Sequence, residues 1–389
     1  MSSALFTLNA GSSTLKFAAF SPDGHERLLS GQIDHYGAER ANLQLRASSD
    51  STPYERCLTG AGCADQLAAA LATLAEHGLQ PLAVAHRIVH GGSRFTRPIL
   101  LDGENRAALA ELVPLAPLHQ PVGLAAIDTI EAIAPALPQI ACFDTAFHAG
   151  MPELAQRFAV ARHWHDKGVR RYGFHGLSYA AIARRLPELE LDDKRVVVCH
   201  LGSGASACAL LAGQSVASSM GFSALDGLMM GTRPGTLDAE VVLYWQEHAG
   251  LSIGEVRDEL YKRSGLLGVS ELSADIRTLL ASHAPAAHEA VALFCYRVAT
   301  EVGRLAAAMQ GLDAVVFTAG IGEHAPSVRA AILHQLGWLG FRLDEAANDA
   351  NATRISQIGS TRSAWVIPTD EEGEIARLAT AVLAKPAAA

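Results

Sequence analysis

The stretch Asn9-Ala-Gly-Ser-Ser-Thr-Leu-Lys16 separates two runs, residues 4–8 and 14–20, whose composition is typical of β-strands. Its small residues predict a tight turn, and Ser21-Pro-Asp-Gly24 predicts a second turn before a third strand over residues 26–33. A turn of small residues lets backbone N–H groups approach an anion closely, and its hydroxyls add donors. The segment therefore predicts a strand–turn–strand unit with a candidate phosphate-binding loop.

The same pattern returns half a chain later. Strands are expected over residues 195–200, 205–211 and 215–219, separated by the turns Leu201-Gly-Ser-Gly204 and Ala212-Gly-Gln214. A repeated strand–turn–strand–turn–strand order predicts that an α/β unit is duplicated within the chain. The best candidate domain boundary lies near residues 148–152, and the final helix could return to the first domain.

Other elements follow from hydrophobic periodicity and from Gly and Pro punctuation. Helices are predicted over residues 65–77, 104–112, 123–133, 238–248, 288–310 and 371–383, and buried strands over residues 82–89, 139–143, 314–318 and 364–367.

Composition bounds the function. The chain has 389 residues, enough for two domains, and its 49% hydrophobic and 18% charged residues favour packed cores over disorder. A net charge of −9 argues against nucleic-acid binding, and no apolar run suits a signal peptide or a membrane-spanning helix. The six cysteines form no C-x-x-C pair. We therefore expect reduced thiols and a cytoplasmic location.

Three glycine-rich turns follow predicted strands: residues 11–14, 202–204 and 320–322. One such turn is weak evidence, but three at strand ends favour phosphate binding. The Walker A pattern, a G-x-G-x-x-G that opens a helix after the first strand, and the protein-kinase signature set are all missing from the sequence. These absences argue against a P-loop enzyme, a dinucleotide dehydrogenase and a protein kinase.

Two arginines have surroundings that favour function over a surface position. Arg87 ends a predicted strand in His86-Arg-Ile-Val-His90, and Arg233 lies in the turn-rich Met230-Gly-Thr-Arg-Pro-Gly235. Guanidinium groups neutralise the oxygens of a transferred phosphoryl group and bind carboxylates through two hydrogen bonds. Lys16 could add charge near phosphate, although it also fits a surface strand.

Carboxylates for Mg²⁺ are expected at Asp144, directly after a buried strand, and at Glu371, which also fits helix N-terminal charge. His175 could hydrogen-bond a moving phosphoryl group, but its surroundings fit a structural histidine equally well. The H-x-x-x-H of His86 and His90 has no third ligand nearby, so we reject a metal site there.

Together these stretches closely resemble the acetate kinase family, in family order across nearly the whole chain: residues 8–17, 86–92, 114–119, 143–148, 171–176, 200–206, 230–233, 317–323 and 367–372. The resemblance implies the α/β fold of sugar kinases and actin, with two duplicated ribonuclease-H-like domains around a nucleotide cleft. It implies a first domain of residues 1–149 plus about 371–389, and a second, nucleotide-binding domain of residues 150–370.

The resemblance also implies reversible in-line phosphoryl transfer from ATP to acetate, with Mg²⁺ as cofactor, Mn²⁺ as an alternative, and a homodimer. It implies catalytic roles for Arg87, Asp144, His175 and Arg233, metal binding by Asn9 and Glu371, and an acyl-binding wall of Val89, Leu118, Phe174 and Ala224. It implies nucleotide contacts from His200, Leu201, Gly202, Ser203, Gly204, Asp275, Ile276, Arg277, Gly320, Ile321, Gly322, Glu323 and His324. Lys16 is assigned to the nucleotide from its position after the first turn.

Several positions depart from the family pattern. Ser203 and His324 stand where Asn is common, and Ala224 stands where Pro is common and could widen the acyl pocket. None of these changes removes a charged catalytic group. Propionate or butyrate kinase activity therefore stays an alternative. An actin-like ATPase is a more distant alternative, which leaves Arg87 and Arg233 without a role, and a catalytically inactive binding module is disfavoured by the retained charges.

Overall fold

A computed structural model describes residues 1–11, 14–47, 54–59 and 62–384. The chain divides into two compact units. Unit 1 comprises Met1–Ala149 and Asp370–Ala389, and unit 2 comprises Gly150–Thr369.

The strands are β1 (Ser2–Ala10), β2 (Thr14–Phe20), β3 (Arg27–Asp34), β4 (Arg40–Ala47), β5 (Tyr54–Thr59), β6 (Leu79–Ile88), β7 (Ile99–Leu100), β8 (Gln139–Phe143), β9 (Arg195–Leu201), β10 (Ala205–Leu211), β11 (Gln214–Ser218), β12 (Ala314–Thr318) and β13 (Ser363–Val366).

The helices are α1 (Cys63–Glu76), α2 (Gly103–Ala110), α3 (Gln120–Ile133), α4 (Glu153–Gln156), α5 (Arg162–Asp166), α6 (Gly176–Arg185), α7 (Ala239–Glu247), α8 (Ile253–Lys262), α9 (Gly265–Ser270), α10 (Ile276–Leu280), α11 (Pro285–Ala308), α12 (Ala319–His324), α13 (Pro326–Gln335), α14 (Glu345–Asp349) and α15 (Glu371–Leu383).

Unit 1 is built on a sheet of order β5-β4-β3-β2-β1-β6-β8-β7. The first strands pair as antiparallel hairpins, and β1, β6 and β8 run parallel to one another. Alternate side chains of a strand point to opposite faces. Phe6 and Leu8 therefore pack with Leu67 and Leu74 of α1, whereas Asn9 on the opposite face meets α15. This alternation directs the polar end of β1 toward the N-terminus of α15.

Unit 2 is built on a sheet of order β11-β10-β9-β12-β13. Its first three strands are antiparallel, and β12 and β13 continue parallel to β9. The order and directions match those of β3-β2-β1-β6-β8 in unit 1, which is the strand order of a ribonuclease-H-like sheet. The predicted fold, an α/β chain that carries this unit twice, is therefore confirmed.

One predicted element is wrong. Residues 320–322 were expected to form a glycine-rich turn, but they lie inside α12. Ala319 turns the chain with a positive φ of 64°, and its N–H donates to the Glu323 carboxylate at 2.8 Å. This local cap starts a helix at once after β12.

The described residues also bear on the cysteines and on membrane insertion. Cys142, Cys199, Cys208 and Cys295 are buried free thiols. Among residues 1–11, 14–47, 54–59 and 62–384, no helix combines the length and the apolar character that crossing a membrane requires.

Candidate functional site

In unit 1, four polar side chains meet where parallel strands end. Arg87 is the penultimate residue of β6, Asp144 directly follows β8, Asn9 is near the end of β1, and Glu371 opens α15. Arg87 donates from Nε and Nη2 to Asp144 Oδ2, at 3.0 and 2.5 Å, and from Nη1 to Asn9 Oδ1 at 3.1 Å. The Asn9 amide donates in turn to Glu371 Oε2 at 3.0 Å. The structure thus joins four of the predicted site residues in one network.

Burial sets the charges of this network. The side chain of Asp144 is 1% exposed and that of Arg87 is 18% exposed. Burial raises the pKa of Asp144, and the nearby Arg87 charge offsets this only in part. Burial alone would lower the pKa of Arg87, but the carboxylates of Asp144 and Glu371 raise it overall. Arg87 thus favours the ionised form of Asp144, but burial of this carboxylate outweighs the effect.

The chemistry of these donors fits a magnesium ion. Asp144 Oδ1 is buried and has no hydrogen-bond partner among the described residues. Mg²⁺ prefers oxygen ligands and typically takes one or two carboxylates together with phosphate oxygens and water. Within the described ranges, no three His, Cys, Asp or Glu side chains gather into a metal-binding group. A metal at this network would therefore need oxygens from a ligand.

The first glycine turn is only partly described. Gly11 N–H donates to the Thr14 carbonyl at 2.8 Å, which closes a tight turn between β1 and β2, while Ser12 and Ser13 lie outside the described residues. Lys16 lies within β2, with its side chain exposed in a groove of about 410 Å³ that also includes Arg46 of β4. Its predicted nucleotide contact stays a prediction.

In unit 2, two histidine rings stack. The rings of His175 and His200 are 4.2 Å apart and inclined by 17°. His175 precedes α6 with a φ of 56°, a left-handed conformation that is uncommon outside glycine and recurs at functional sites. His200 lies at the end of β9, opposite Ser206 of β10. The backbone thus fixes both rings at the mouth of the Gly202–Gly204 turn.

Arg233 lies beside this pair. A Cβ placed on Gly204 would lie 3.4 Å from Arg233 Nη2 and 3.4 Å from His175 Nε2, so both groups face the same glycine. Arg233 Nη1 donates to the carbonyl of Ala224 at 2.7 Å. Burial lowers the pKa of Arg233, and no carboxylate in the described part of the chain forms an ion pair with it. A desolvated cation without a counter-charge is suited to bind an anion.

The other predicted nucleotide residues form separate local structures. The Ser203 carbonyl accepts from Gly231 N–H at 3.0 Å, which ties the glycine turn to the Arg233 loop. Asp275 caps α10 and pairs with Arg277, which is 88% exposed. Glu323 accepts from the Thr369 N–H at 3.1 Å. The remaining members of this set lie in β9, its turn, α10 and α12: His200, Leu201, Gly202, Gly204, Ile276, Gly320, Ile321, Gly322 and His324.

The residues of the predicted acyl wall are divided between the two units. Val89 is buried and Leu118 is 39% exposed in unit 1, whereas Phe174 is buried in unit 2. Ala224, also in unit 2, contributes a backbone carbonyl to Arg233, a contact that its side-chain identity does not reveal. The role of these residues around an acyl group stays a prediction.

Three residues with evident structural roles were missed. Ser206 and Tyr179 hydrogen-bond behind His175, and Arg329 is completely buried in α13. The Arg329 guanidinium donates to the carbonyls of Gly322 and Glu323 at the end of α12. The signal in the sequence was an arginine, Arg329, among the apolar residues of α13.

Comparisons with known proteins identify the family of this chain. The model of the acetokinase family matches residues 4–377. The chain belongs to the acetokinase family. An acetate kinase of Rhodopseudomonas palustris is 50% identical to it over 391 residues, covering 97% of this chain and 98% of the relative. An acetate kinase of Nitrobacter hamburgensis is 47% identical over 96% of this chain and 94% of its own length.

Solved acetokinase-family structures share the fold. A propionate kinase from Francisella tularensis superimposes with a TM-score of 0.91 at 34% identity, covering 97% of this chain and 99% of its own. An acetate kinase from Porphyromonas gingivalis has a TM-score of 0.87 at 32% identity, with coverages of 98% and 100%. The predicted family and fold class are thus confirmed.

Proposed function

We propose that this protein is an acetate kinase that catalyses the reversible reaction of ATP and acetate to ADP and acetyl phosphate. The observation that carries the proposal is Arg233, a desolvated cation with no carboxylate partner in the described chain, beside His175 and the Gly204 backbone. An anion-binding group of this kind is what phosphoryl transfer requires. Acetate is proposed as the substrate because a relative named acetate kinase is 50% identical over nearly the full length.

The chemistry needs charge neutralisation more than proton transfer. An acetate oxygen forms a bond to the γ-phosphorus while the bond from that phosphorus to the β–γ bridging oxygen breaks, and the electron pair stays on ADP. Acetate is already ionised at neutral pH, so no base has to remove a proton. We assign Arg87 to the acetate carboxylate, and Arg233 with His175 to the charge on the transferred group.

Asp144, Asn9 and Glu371 would hold the divalent cation, for which Mg²⁺ is proposed and Mn²⁺ is the alternative. When bound, the ion neutralises phosphate charge during transfer. Asp144 Oδ1 is the donor best suited to it, because Asn9 Oδ1 already accepts a hydrogen bond from Arg87. The Gly202–Gly204 turn, α10 and α12 are proposed to bind the nucleotide, and the two compact units are proposed to act as the two domains.

The direct test is product formation. Purified protein is incubated with ATP, Mg²⁺, acetate and hydroxylamine, and acetyl hydroxamate is measured. Product that depends on both ATP and acetate is expected. If neither acetate, propionate nor butyrate gives a hydroxamate, the kinase proposal is wrong, and ATP hydrolysis without acyl product would favour the ATPase alternative.

Propionate is the second candidate substrate. Ala224 has a smaller side chain than the proline common at this position in the family, and one structural neighbour at 34% identity is a propionate kinase. One methylene changes discrimination by only about 1–3 kcal/mol. Comparing kcat/KM for acetate, propionate and butyrate decides between them.

A homodimer in the cytoplasm is proposed as the working form. α7 has the apolar sequence Val241-Val-Leu-Tyr-Trp245, but none of its residues is fully buried within the chain. Leu243 and Tyr244 on α7 are 45% and 58% exposed. A second copy would cover this apolar surface. Light scattering of the protein and of Tyr244→Glu tests the proposal, since a dimer held by this surface would dissociate in the variant.

A further inference from the structure

Each of the two stacked histidines is held from behind by a pair of hydroxyl groups. His175 Nδ1 lies 2.8 Å from Ser206 Oγ, and Ser206 Oγ is hydrogen-bonded to the Tyr179 hydroxyl. His200 Nδ1 lies 2.8 Å from Ser178 Oγ, and Ser178 Oγ lies 2.8 Å from the Thr369 hydroxyl. In both cases the serine engages Nδ1 and leaves Nε2 on the side of the glycine turn. A hydroxyl at Nδ1 influences which ring nitrogen carries the proton. Neither the sequence motifs nor the proposed function determines the position of this proton.

We propose that Tyr179 and Ser206 are positioning residues that hold His175 as the neutral tautomer with its proton on Nε2. The tyrosine hydroxyl donates to Ser206 Oγ, and the Ser206 hydroxyl donates to Nδ1. The remaining ring proton must then lie on Nε2, which faces the space beside Gly204 and Arg233. The imidazole presents a hydrogen-bond donor to an anion in that space.

The direction of donation follows from the chemistry of the hydroxyls. Tyr179 is completely buried, and burial raises the pKa of its phenol, so the phenol keeps its proton at neutral pH. A phenol is a stronger acid than an aliphatic alcohol, so it is the better donor of the two. Ser206 accepts this bond, and its own proton is then directed to the imidazole. The hydrogen bond that one ring nitrogen makes decides where the other proton lies.

The groups around His175 favour a neutral ring. Arg233 faces it from the loop after β11, and the His200 ring stacks on it from β9. Ser206 of β10 lies at Nδ1 of the ring, and Tyr179 of α6 is hydrogen-bonded to Ser206. A neighbouring cation disfavours protonation of the imidazole, as does a hydroxyl that donates to Nδ1. A neutral donor therefore coexists with Arg233 without charge repulsion.

The tautomer is tested by ¹⁵N NMR of the full-length protein labelled at its histidine rings, with His175 assigned from the spectrum of His175→Gln. In the parent protein, Nδ1 is expected to lack a proton and Nε2 to carry one. Ser206→Ala should populate both tautomers and raise the pKa of His175. Ser218→Ala is the matched control, because it removes a buried hydroxyl that has no hydrogen-bond partner in the described chain. A proton on Nδ1 in the parent, or an unchanged tautomer in Ser206→Ala, overturns the proposal.

The pH dependence of kcat distinguishes a positioning role of Ser206 from a general structural effect. This test rests on the proposed phosphoryl transfer. In Ser206→Ala, kcat should fall about two- to tenfold above the pKa of His175, where the Nδ1-protonated form competes. It should recover below that pKa, because the protonated ring always carries a proton on Nε2. A loss that is equal at every pH contradicts the proposal. Tyr179→Phe keeps the ring packing and gives the same readouts if Ser206→Ala fails to fold. If the parent makes no acyl phosphate, the proposed function fails, while the NMR result still decides the tautomer.

Discussion

The two halves of the Arg87–Asp144 ion pair should differ sharply in what their removal does to stability. Asp144 is almost completely buried, whereas Arg87 retains 18% exposure and a second partner in Asn9. Removing Arg87 leaves a buried carboxylate without its counter-charge, which costs about 3–5 kcal/mol. Asp144→Asn instead removes the carboxylate whose ionised form is disfavoured by burial, as its raised pKa indicates. We therefore expect Asp144→Asn to lower the free energy of unfolding by less than the removal of Arg87 does, because Arg87 stays partly exposed and keeps the nearby Glu371 charge.

Activity should show the opposite ranking from stability. Asp144→Asn removes the negative charge proposed to hold the cation, so kcat should fall by about two to three orders of magnitude in a well-folded protein. Arg87→Met should raise the KM for acetate and also destabilise unit 1. Acetyl hydroxamate formation measures the first effect, and urea denaturation measures the second.

The probe of unfolding has to report on unit 1. All four tryptophans, Trp164, Trp245, Trp338 and Trp365, lie in unit 2, so their fluorescence does not monitor the pair. Hydrogen exchange of peptides from β6 and β8 is the suitable probe. The double variant Arg87→Met/Asp144→Asn should recover most of the stability lost in Arg87→Met. If Asp144→Asn destabilises unit 1 as much as Arg87→Met does, or retains near-normal turnover, the reasoning is refuted.

Three further predictions concern other buried or paired groups. Arg329→Lys should lower the stability of unit 2 by about 3 kcal/mol, seen as a lower urea midpoint by tryptophan fluorescence, because a lysine cannot replace the separate bonds of the guanidinium. Burial lowers the pKa of His86 to about 4, below its usual 6.5. The stability of unit 1 should therefore fall as the pH drops from about 6.5 to 4. In urea denaturation at a series of pH values, His86→Gln should show a weaker dependence on pH. Hydrogen bonds from Arg195 lower the pKa of Asp313 to about 2. They should contribute about 1–2 kcal/mol to the stability of unit 2 after allowance for partial exposure, and this contribution should be lost as the pH falls from about 4 through 2. Asp313→Asn should not show this loss.

The sequence predicted the repeated strands well because their signals are local. The strands Gln139–Phe143, Ala205–Leu211 and Ala314–Thr318 end at the predicted residues, since each is an apolar run with turn residues next to it. Strand β4 and the edge strands β5 and β7 were missed. In β4, polar residues alternate with buried Ala41, Leu43 and Leu45, a pattern that becomes meaningful only when the rest of the sheet supplies the core.

The candidate site was predictable to the extent that it lies at strand ends. Arg87 lies at the end of β6 and Asp144 directly follows the neighbouring parallel strand β8, so their proximity follows from topology. The support behind His175 was not predictable, because Ser206 lies 31 residues from His175 and 27 residues from Tyr179, to which it is also hydrogen-bonded. Arg329 belongs to the same class, since it meets Asn348 from 19 residues away. Distant hydroxyls and carbonyls leave no periodic signal in the sequence.

The two arginines of the proposed site differ in how far their charges are neutralised by the protein. This difference indicates which of them gains more when an anion binds. Arg87 already donates to Asp144 and Asn9, so an acetate carboxylate must share a guanidinium that is largely neutralised. Within the described ranges, the Arg233 guanidinium donates only to the Ala224 carbonyl, and burial penalises its charge. A phosphoryl group therefore gains more from Arg233, because binding relieves an uncompensated charge, whereas Arg87 contributes direction through its two fixed partners. Substituting Arg233 should for this reason reduce kcat, while substituting Arg87 should act mainly on the KM for acetate.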